Sequence, residues 1–170
     1  MVASPAKQDP AMLSDKFKET VFLQAWSWAQ MPGLFFIRPR IIEINEARCE
    51  IRVPLRRRTR NYHVGAMYFG ALCSGADCAG GLIAMRAIQR RGNAASLIFK
   101  NFEADFQKRA DGDVHFSCEE GEEILALVDR VLETGERETL PVHITATVPS
   151  KYGSEPVARF TLGLSLKRKG

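Results

Sequence analysis

The chain has 170 residues, 45% of them hydrophobic and 26% charged, with a formal net charge of +4. That balance fits one globular domain with a real core, and it excludes wholesale disorder and a collagen-like repeat. The positive excess suits an anionic ligand, but it is scattered along the chain and not gathered into the stripe of a nucleic-acid binder, so no nucleic-acid partner is expected.

Residues 1–10, rich in Ala, Pro and Lys, read as a flexible N-terminus, and residues 11–170 as a single domain. From Ser14, a plausible N-cap, Phe17, Val21 and Trp28 recur at helical spacing until Pro32-Gly33 stops the helix. Over residues 41–55 the pattern turns to strand: Cys49, Ile51, Val53 and Leu55 alternate with Glu50, Arg52 and Pro54, and Asn45-Glu46-Ala47 marks a bend. Residues 66–89 form a long, weakly polar helix with Phe69, Leu72, Cys73, Ala76 and Ile83 on one stripe. Gly70, Gly75, Gly80 and Gly81 each cost such a helix about 1 kcal/mol against alanine, which predicts close approach by another backbone.

Residues 95–106 are apolar on both faces for part of their length, as in a strand between a helix and a second layer. A turn at residues 110–113 leads into a strand over 114–118. A second helix over 119–132 carries Ile124, Leu127, Val128, Val131 and Leu132 on one stripe and ends at Gly135. Two alternating strands close the chain, Leu140 to Val148 and Ala158 to Leu166, each burying one face. Helices set on one side of an antiparallel sheet make an α+β fold.

Cys49, Cys73, Cys78 and Cys118 show no two-residue spacing and so no metal set. Cys73 and Cys78 would point roughly 140° apart on a helix, which makes them poor disulfide partners. Free thiols, no leader pattern and no apolar run of spanning length predict a cytoplasmic protein with no membrane partner.

The run Asn61-Tyr62-His63-Val64-Gly65-Ala66-Met67-Tyr68-Phe69-Gly70-Ala71-Leu72, continuing to Asp77-Cys78-Ala79-Gly80-Gly81, resembles the core signature of hotdog-fold thioesterases of the phenylacetyl-CoA and hydroxybenzoyl-CoA type. More narrowly, the chain is similar to a bacterial hotdog subgroup of unknown function. It shares that group's Arg-rich strand end, its helix start, a strand ending like Ala104-Asp105-Phe106 and a last strand ending like Leu164-Ser165-Leu166-Lys167-Arg168. The resemblance implies a long central helix wrapped by a curved antiparallel sheet, and an acyl-CoA thioesterase. Coenzyme A would enter only as part of the substrate, with no metal or organic cofactor. It implies a homodimer or a dimer of dimers, with sites where one subunit's helix meets its partner's strands.

Carried over by residue, Asp77 falls where the family has its general base or nucleophile. Asn61 matches the Asn that places the thioester or the attacking water. Gly70, with Ala71 beside it, matches the segment whose backbone amides polarise the carbonyl. Tyr68 stands where the family has His, and Phe69 replaces its first Gly.

The chemistry asks for a nucleophile and for donors aimed at the developing oxyanion. Asp77 is the only acid between Glu50 and Glu103, set among small residues, and burial would raise its pKa. Its bland alternatives are a cap, a pair with an arginine, or a water-facing position. Asn61 either orients the substrate or makes its own turn. Tyr68 either donates to substrate or packs as a core aromatic, and Met67 and Phe69 line an acyl tunnel or the core. His63 is an acid-base candidate or a surface residue, while His115 and His143 show no partner. Arg56, Arg57, Arg58 and Arg60, or Lys108 and Arg109, meet coenzyme A phosphates or are solvated strand ends. Two rivals to hydrolysis stand beside it: a non-catalytic acyl-CoA or fatty-acyl binding module, and a hydratase or dehydratase using His63.

Overall fold

A computed structural model describes the backbone of residues 10–170 and the side chains of residues 15–170, so the expected flexible terminus lies outside the described residues except for Pro10. The first helix, α1 (Pro10–Gln30), already runs through Ser14, which is therefore not its N-cap. Pro32-Gly33 ends α1 as expected, but the chain turns straight into a short α2 (Pro32–Ile37) with proline in its first turn, where its missing N–H would have no partner anyway.

The expected stripe of α1 faces outward: Phe17 is 70% and Trp28 67% exposed, while Leu23 and Ser27 are the buried positions among its described side chains. Helical spacing shows that a stripe exists, not which neighbour it meets.

A six-stranded antiparallel sheet runs in the order β1-β2-β6-β7-β8-β5. Its members are β1 (Arg40–Ile44), β2 (Cys49–Val53), β5 (Ala95–Phe106), β6 (Val114–Cys118), β7 (Glu138–Thr147) and β8 (Pro156–Arg168). β1 and β2 form a hairpin whose turn is closed by Asn45, its Oδ1 accepting from the N–H groups of Ala47 (2.9 Å) and Arg48 (2.8 Å). A separate two-stranded ribbon, β3 (Arg60–Asn61) with β4 (Ala66–Met67), precedes the central helix and carries no strand signal in the sequence.

The central helix α3 (Phe69–Arg90) lies in the curve of the sheet with Ala76, Ala79 and Ala84 fully buried. This is the expected α+β hotdog arrangement. By length and composition α3 would also pass as a membrane span, but most of its apolar window is buried inside the fold. The glycines of α3 are not matched by another backbone, as predicted, but by side chains. A Cβ on Gly75 would lie 2.5 Å from the Phe116 ring, and one on Gly80 3.1 Å from Ile144 Cδ1. The close backbone approach occurs instead at Gly121, where a Cβ would stand 2.6 Å from Ala47 C.

Helix α4 (Gly121–Thr134) buries Ile124, Leu127, Val128 and Val131, and Gly135 caps it at φ 78° with its N–H on Val131 O. The turn α5 (Pro149–Tyr152) links β7 to β8. Burying side chains such as Phe116, Ile51, Leu127 and Leu162 stabilises the fold by about 1.5–3 kcal/mol each.

Two strand expectations need correction. β5 is an edge strand that is largely exposed, with Ile98 at 50%, because no second layer covers it. β8 does not alternate throughout: Gly163 and Ser165 are buried too. Asn101 from the β5 bulge packs over Gly163, and Ser165 Oγ receives bonds from Thr139 and Arg137. The two strand histidines also have partners, His115 with Glu50 (2.8 Å) and His143 with Glu120 (2.6 Å).

Candidate functional site

A helical rise of about 1.5 Å per residue puts Asp77 two turns into α3, on nearly the same face as Gly70 and about 10 Å further along the axis. There its carboxylate borders a cavity of about 220 Å³ walled mainly by apolar side chains. Cys78, Gly81, Leu82 and Met85 of α3 continue that wall away from the helix N-terminus. Leu23 and Trp26 of α1 and Leu34 of α2 close it from above, and Leu97 and Phe99 of β5 close its side. The α1–α2 hairpin that hid its aromatic stripe from the sheet therefore roofs this pocket.

Among the described residues no hydrogen bond or ion pair reaches the Asp77 carboxylate. It caps nothing and has no arginine. Half-buried among apolar groups, it loses hydration of its charged form, which pushes its pKa up from an ordinary 3.8 to about 6. Cys78, the other nucleophilic type on the wall, is buried, and desolvation holds its thiol far above neutrality; it stays protonated.

The helix start supplies donors. Tyr68, the N-cap of α3, offers no side-chain cap. The N–H of Ala71 is already committed to Tyr68 O at 2.9 Å. The amides of Phe69 and Gly70 have no acceptor among the described residues, as expected for orphan groups of a first turn. Of the two expected oxyanion amides, the geometry leaves Gly70 free and uses Ala71 internally.

The Tyr68 ring folds back over Gly70, so that a Cβ there would meet Tyr68 Cε1 at 2.5 Å and Oη at 3.2 Å. A side chain at 70 would have to displace the exposed Tyr68 ring. The phenol is largely exposed and stands beside the free amide. The Phe69 ring turns outward onto Phe106 of the sheet edge, 5.6 Å between centroids. Met67 is buried at the ribbon, its N–H on Ala110 O.

Other expected residues lie apart from the cavity wall. Asn61 Oδ1 accepts the N–H of His63 at 2.9 Å, so its side chain makes its own turn. His63 is exposed at the ribbon tip, and Arg60 is exposed on β3. Arg58 is exposed as well, its guanidinium 5.6 Å from the Phe36 ring centroid. Lys108 is engaged by Glu155 and the Tyr152 ring. No cluster of three metal-ligating side chains occurs among the described residues.

The roof was missed by sequence reasoning: Leu23, Trp26 and Leu34 give no chemical signal. Only the adjacency of α1 to α3 reveals them.

A family model described as a domain of unknown function (DUF4442) matches residues 21–163. Among curated proteins none matches the sequence. A protein of unknown function from Chlorobaculum tepidum superposes with TM-score 0.74 at 13% identity, covering 91% of this chain and 97% of its own. One from Pseudomonas aeruginosa, described as a probable thioesterase, gives TM-score 0.70 at 20% identity over 88% and 96%. A Haemophilus influenzae thioesterase gives TM-score 0.62 at 12% identity over 86% and 88%. At these identities the likeness is one of fold.

Proposed function

The chain belongs to the family described as a domain of unknown function (DUF4442), and from that premise we propose that it is a hotdog acyl-CoA thioesterase with Asp77 as its general base or nucleophile. One observation carries the reading: an unpaired, half-buried carboxylate, with its pKa raised to about 6, on the wall of an apolar cavity. A bare charge in such a place costs stability and is kept where chemistry uses it.

As general base, Asp77 takes a proton from water while the hydroxide adds to the thioester carbonyl. The tetrahedral oxyanion then collapses, the C–S bond breaks, and the thiolate recovers the proton. The products are a carboxylic acid and a free thiol. The Gly70 amide and the Tyr68 hydroxyl supply donors on the N-terminal side of Asp77. The apolar cavity on the other side holds the acyl group. A cavity of about 150 Å³ takes a benzene ring, so one of about 220 Å³ suits a single ring or a short alkyl chain.

The protein acts as a homodimer. The β5 edge with exposed Ile98, Phe102 and Phe106, next to exposed Phe69 and Tyr68, offers backbone donors and apolar side chains together, which a second copy covers. Its four free cysteines suit the cytoplasm.

One observation favours the binding-module reading: the helix starts with Tyr68 and Phe69, and Asn61 is tied into its own turn. A dehydratase lacks support, since among the described residues no histidine lines the cavity. The deciding assay is thiol release from benzoyl-, phenylacetyl- and hexanoyl-CoA. Wild type turns over at least one, and Asp77→Asn loses about 10²–10⁴-fold in kcat. Saturable binding without turnover in either protein would leave the binding module standing.

A further inference from the structure

A second concave feature lies on the far side of α2. It has a volume of about 770 Å³ and is lined by Phe36, Arg38, Arg40, Arg56, Arg57 and Arg58. The arginines come from two stretches of chain, one at the end of α2 and the start of β1, the other in the loop after β2.

The charges there are uncompensated. Outside the cavity Arg60, Arg90, Arg109, Arg137, Arg159 and Arg168 also lack a carboxylate partner among the described residues, whereas Arg48, Arg52, Arg86, Arg91 and Arg130 each meet a carboxylate. Among the described residues none of the five in this cavity does. Five arginines lining one concavity without a carboxylate partner among the described residues favour a multiply charged anion with oxygens to share.

The loop is also built, not slack. Thr59 is fully buried, its Oγ1 donating to Pro54 O at 2.7 Å and accepting from Arg56 N–H at 2.9 Å. Leu55 N–H is fastened to Asp113 at 2.9 Å. On the other wall Arg38 is the C-cap of α2, held in the left-handed conformation at φ 51° with its N–H on Phe35 O at 3.2 Å. The exposed Phe36 ring, with the Arg58 guanidinium against it, offers a flat face. Stacking on such a face is how proteins hold nucleic-acid bases without reading sequence.

The loop that carries Arg56, Arg57 and Arg58 is tied to the start of α3. Thr59 O accepts the N–H of Tyr68, the N-cap of α3, at 2.7 Å. The arginine loop and the free amide of Gly70 are thus held in one frame.

We propose that this arginine cavity binds the phosphates of the nucleotide end of an acyl-CoA, with the base against Phe36. The phosphate chemistry follows from the cavity itself; the choice of a thioester's nucleotide as its source rests on the thioesterase reading.

The test is calorimetric titration of adenosine 3′,5′-bisphosphate and of inorganic pyrophosphate into wild type and into the Arg38→Ala/Arg57→Ala double variant. Wild type binds the bisphosphate more tightly than pyrophosphate, and the double variant binds it at least tenfold more weakly. Arg57→Ala alone, at an exposed loop position, repeats the comparison where the double variant does not fold. In hydrolysis, the substitutions lower kcat/KM for acyl-CoA at least tenfold more than for the matching acyl-N-acetylcysteamine thioester, which has no nucleotide. Bisphosphate affinity that is absent, or equal in wild type and variants, overturns the proposal. So does arginine-dependent sedimentation with phosphatidylglycerol vesicles in a protein that ignores the bisphosphate, which assigns the site to a lipid headgroup. Turnover of both thioesters without discrimination by the variants keeps the hydrolase and removes this site. Arginine-dependent bisphosphate binding without any turnover keeps the site and removes the hydrolase.

Discussion

On the side of α3 that meets the sheet, Gly75 lies under the Phe116 ring and Gly80 under Ile144, with Ala76 and Ala79 fully buried between them. On the side that meets α1, α2 and β5, Asp77 and Gly81 border an open apolar cavity, and the carboxylate has no partner. The same helix is filled to contact on one face and left with a void and a bare charge on the other. Small residues do opposite work on the two faces: they admit large neighbours on one and leave space on the other. Packing defects and unpaired charges cost a fold stability, so their confinement to one face separates the part that holds the protein together from the part that acts.

Neutralising the charge is the largest lever on that contrast. Asp77→Asn removes a group whose pKa rises from 3.8 unfolded to about 6 folded. A rise of that size corresponds to about 3 kcal/mol at neutral pH, an upper figure because a buried amide also wants partners. The folded state binds the extra proton, so wild type is as stable as the variant below the unfolded pKa. It loses ground as pH rises through about 6 and levels off above. Denaturant titration at pH 4 and pH 7.5 should show the variant gaining stability only at the higher pH. Equal stability at both would mean that the carboxylate is solvated or paired.

Filling the tight face comes next. In Gly75→Ala the new Cβ falls 2.5 Å from the ring of Phe116, which is fully buried and closely held. Overpacking of this kind costs about 1–3 kcal/mol, readable as a drop in melting temperature. An unchanged melting temperature would show that the sheet face has slack. The smallest effect belongs to Gly81→Ala, whose Cβ would sit at an ordinary 3.4 Å from Phe99. It gains about 1 kcal/mol of helix propensity and narrows the cavity. The ratio of phenylacetyl-CoA to acetyl-CoA turnover should fall several-fold; no change in that ratio would place the acyl group elsewhere.

The tight face was legible in the sequence and the open one only in part. The length of α3, its glycines and the isolation of Asp77 as the single acid between Glu50 and Glu103 are local signals. They required no knowledge of neighbours. The roof depends on how α1 crosses α3, and periodicity misleads there because Phe17, Val21 and Trp28 face away from the fold. Asn61 is the right residue type in the right motif, yet its short side chain is spent on the His63 amide. Arg38 and Arg40 join Arg56, Arg57 and Arg58 only because the β1–β2 hairpin folds the chain back on itself, a register that the arginines do not announce. The apolar character of residues 95–106 suggests burial within the chain; in the fold that strand lies on an open edge.

The central claim is that Asp77 is the working base of the open face. The direct measurement is the pH dependence of kcat/KM for a short or aromatic acyl-CoA between pH 4.5 and 8.5 in wild type and Asp77→Asn. With Asp77 as base, the wild-type rate climbs with a single inflection near about 6 and flattens above it, and the variant has little activity and no such inflection. A wild-type profile flat across that range, or a variant that keeps both rate and inflection, would contradict it.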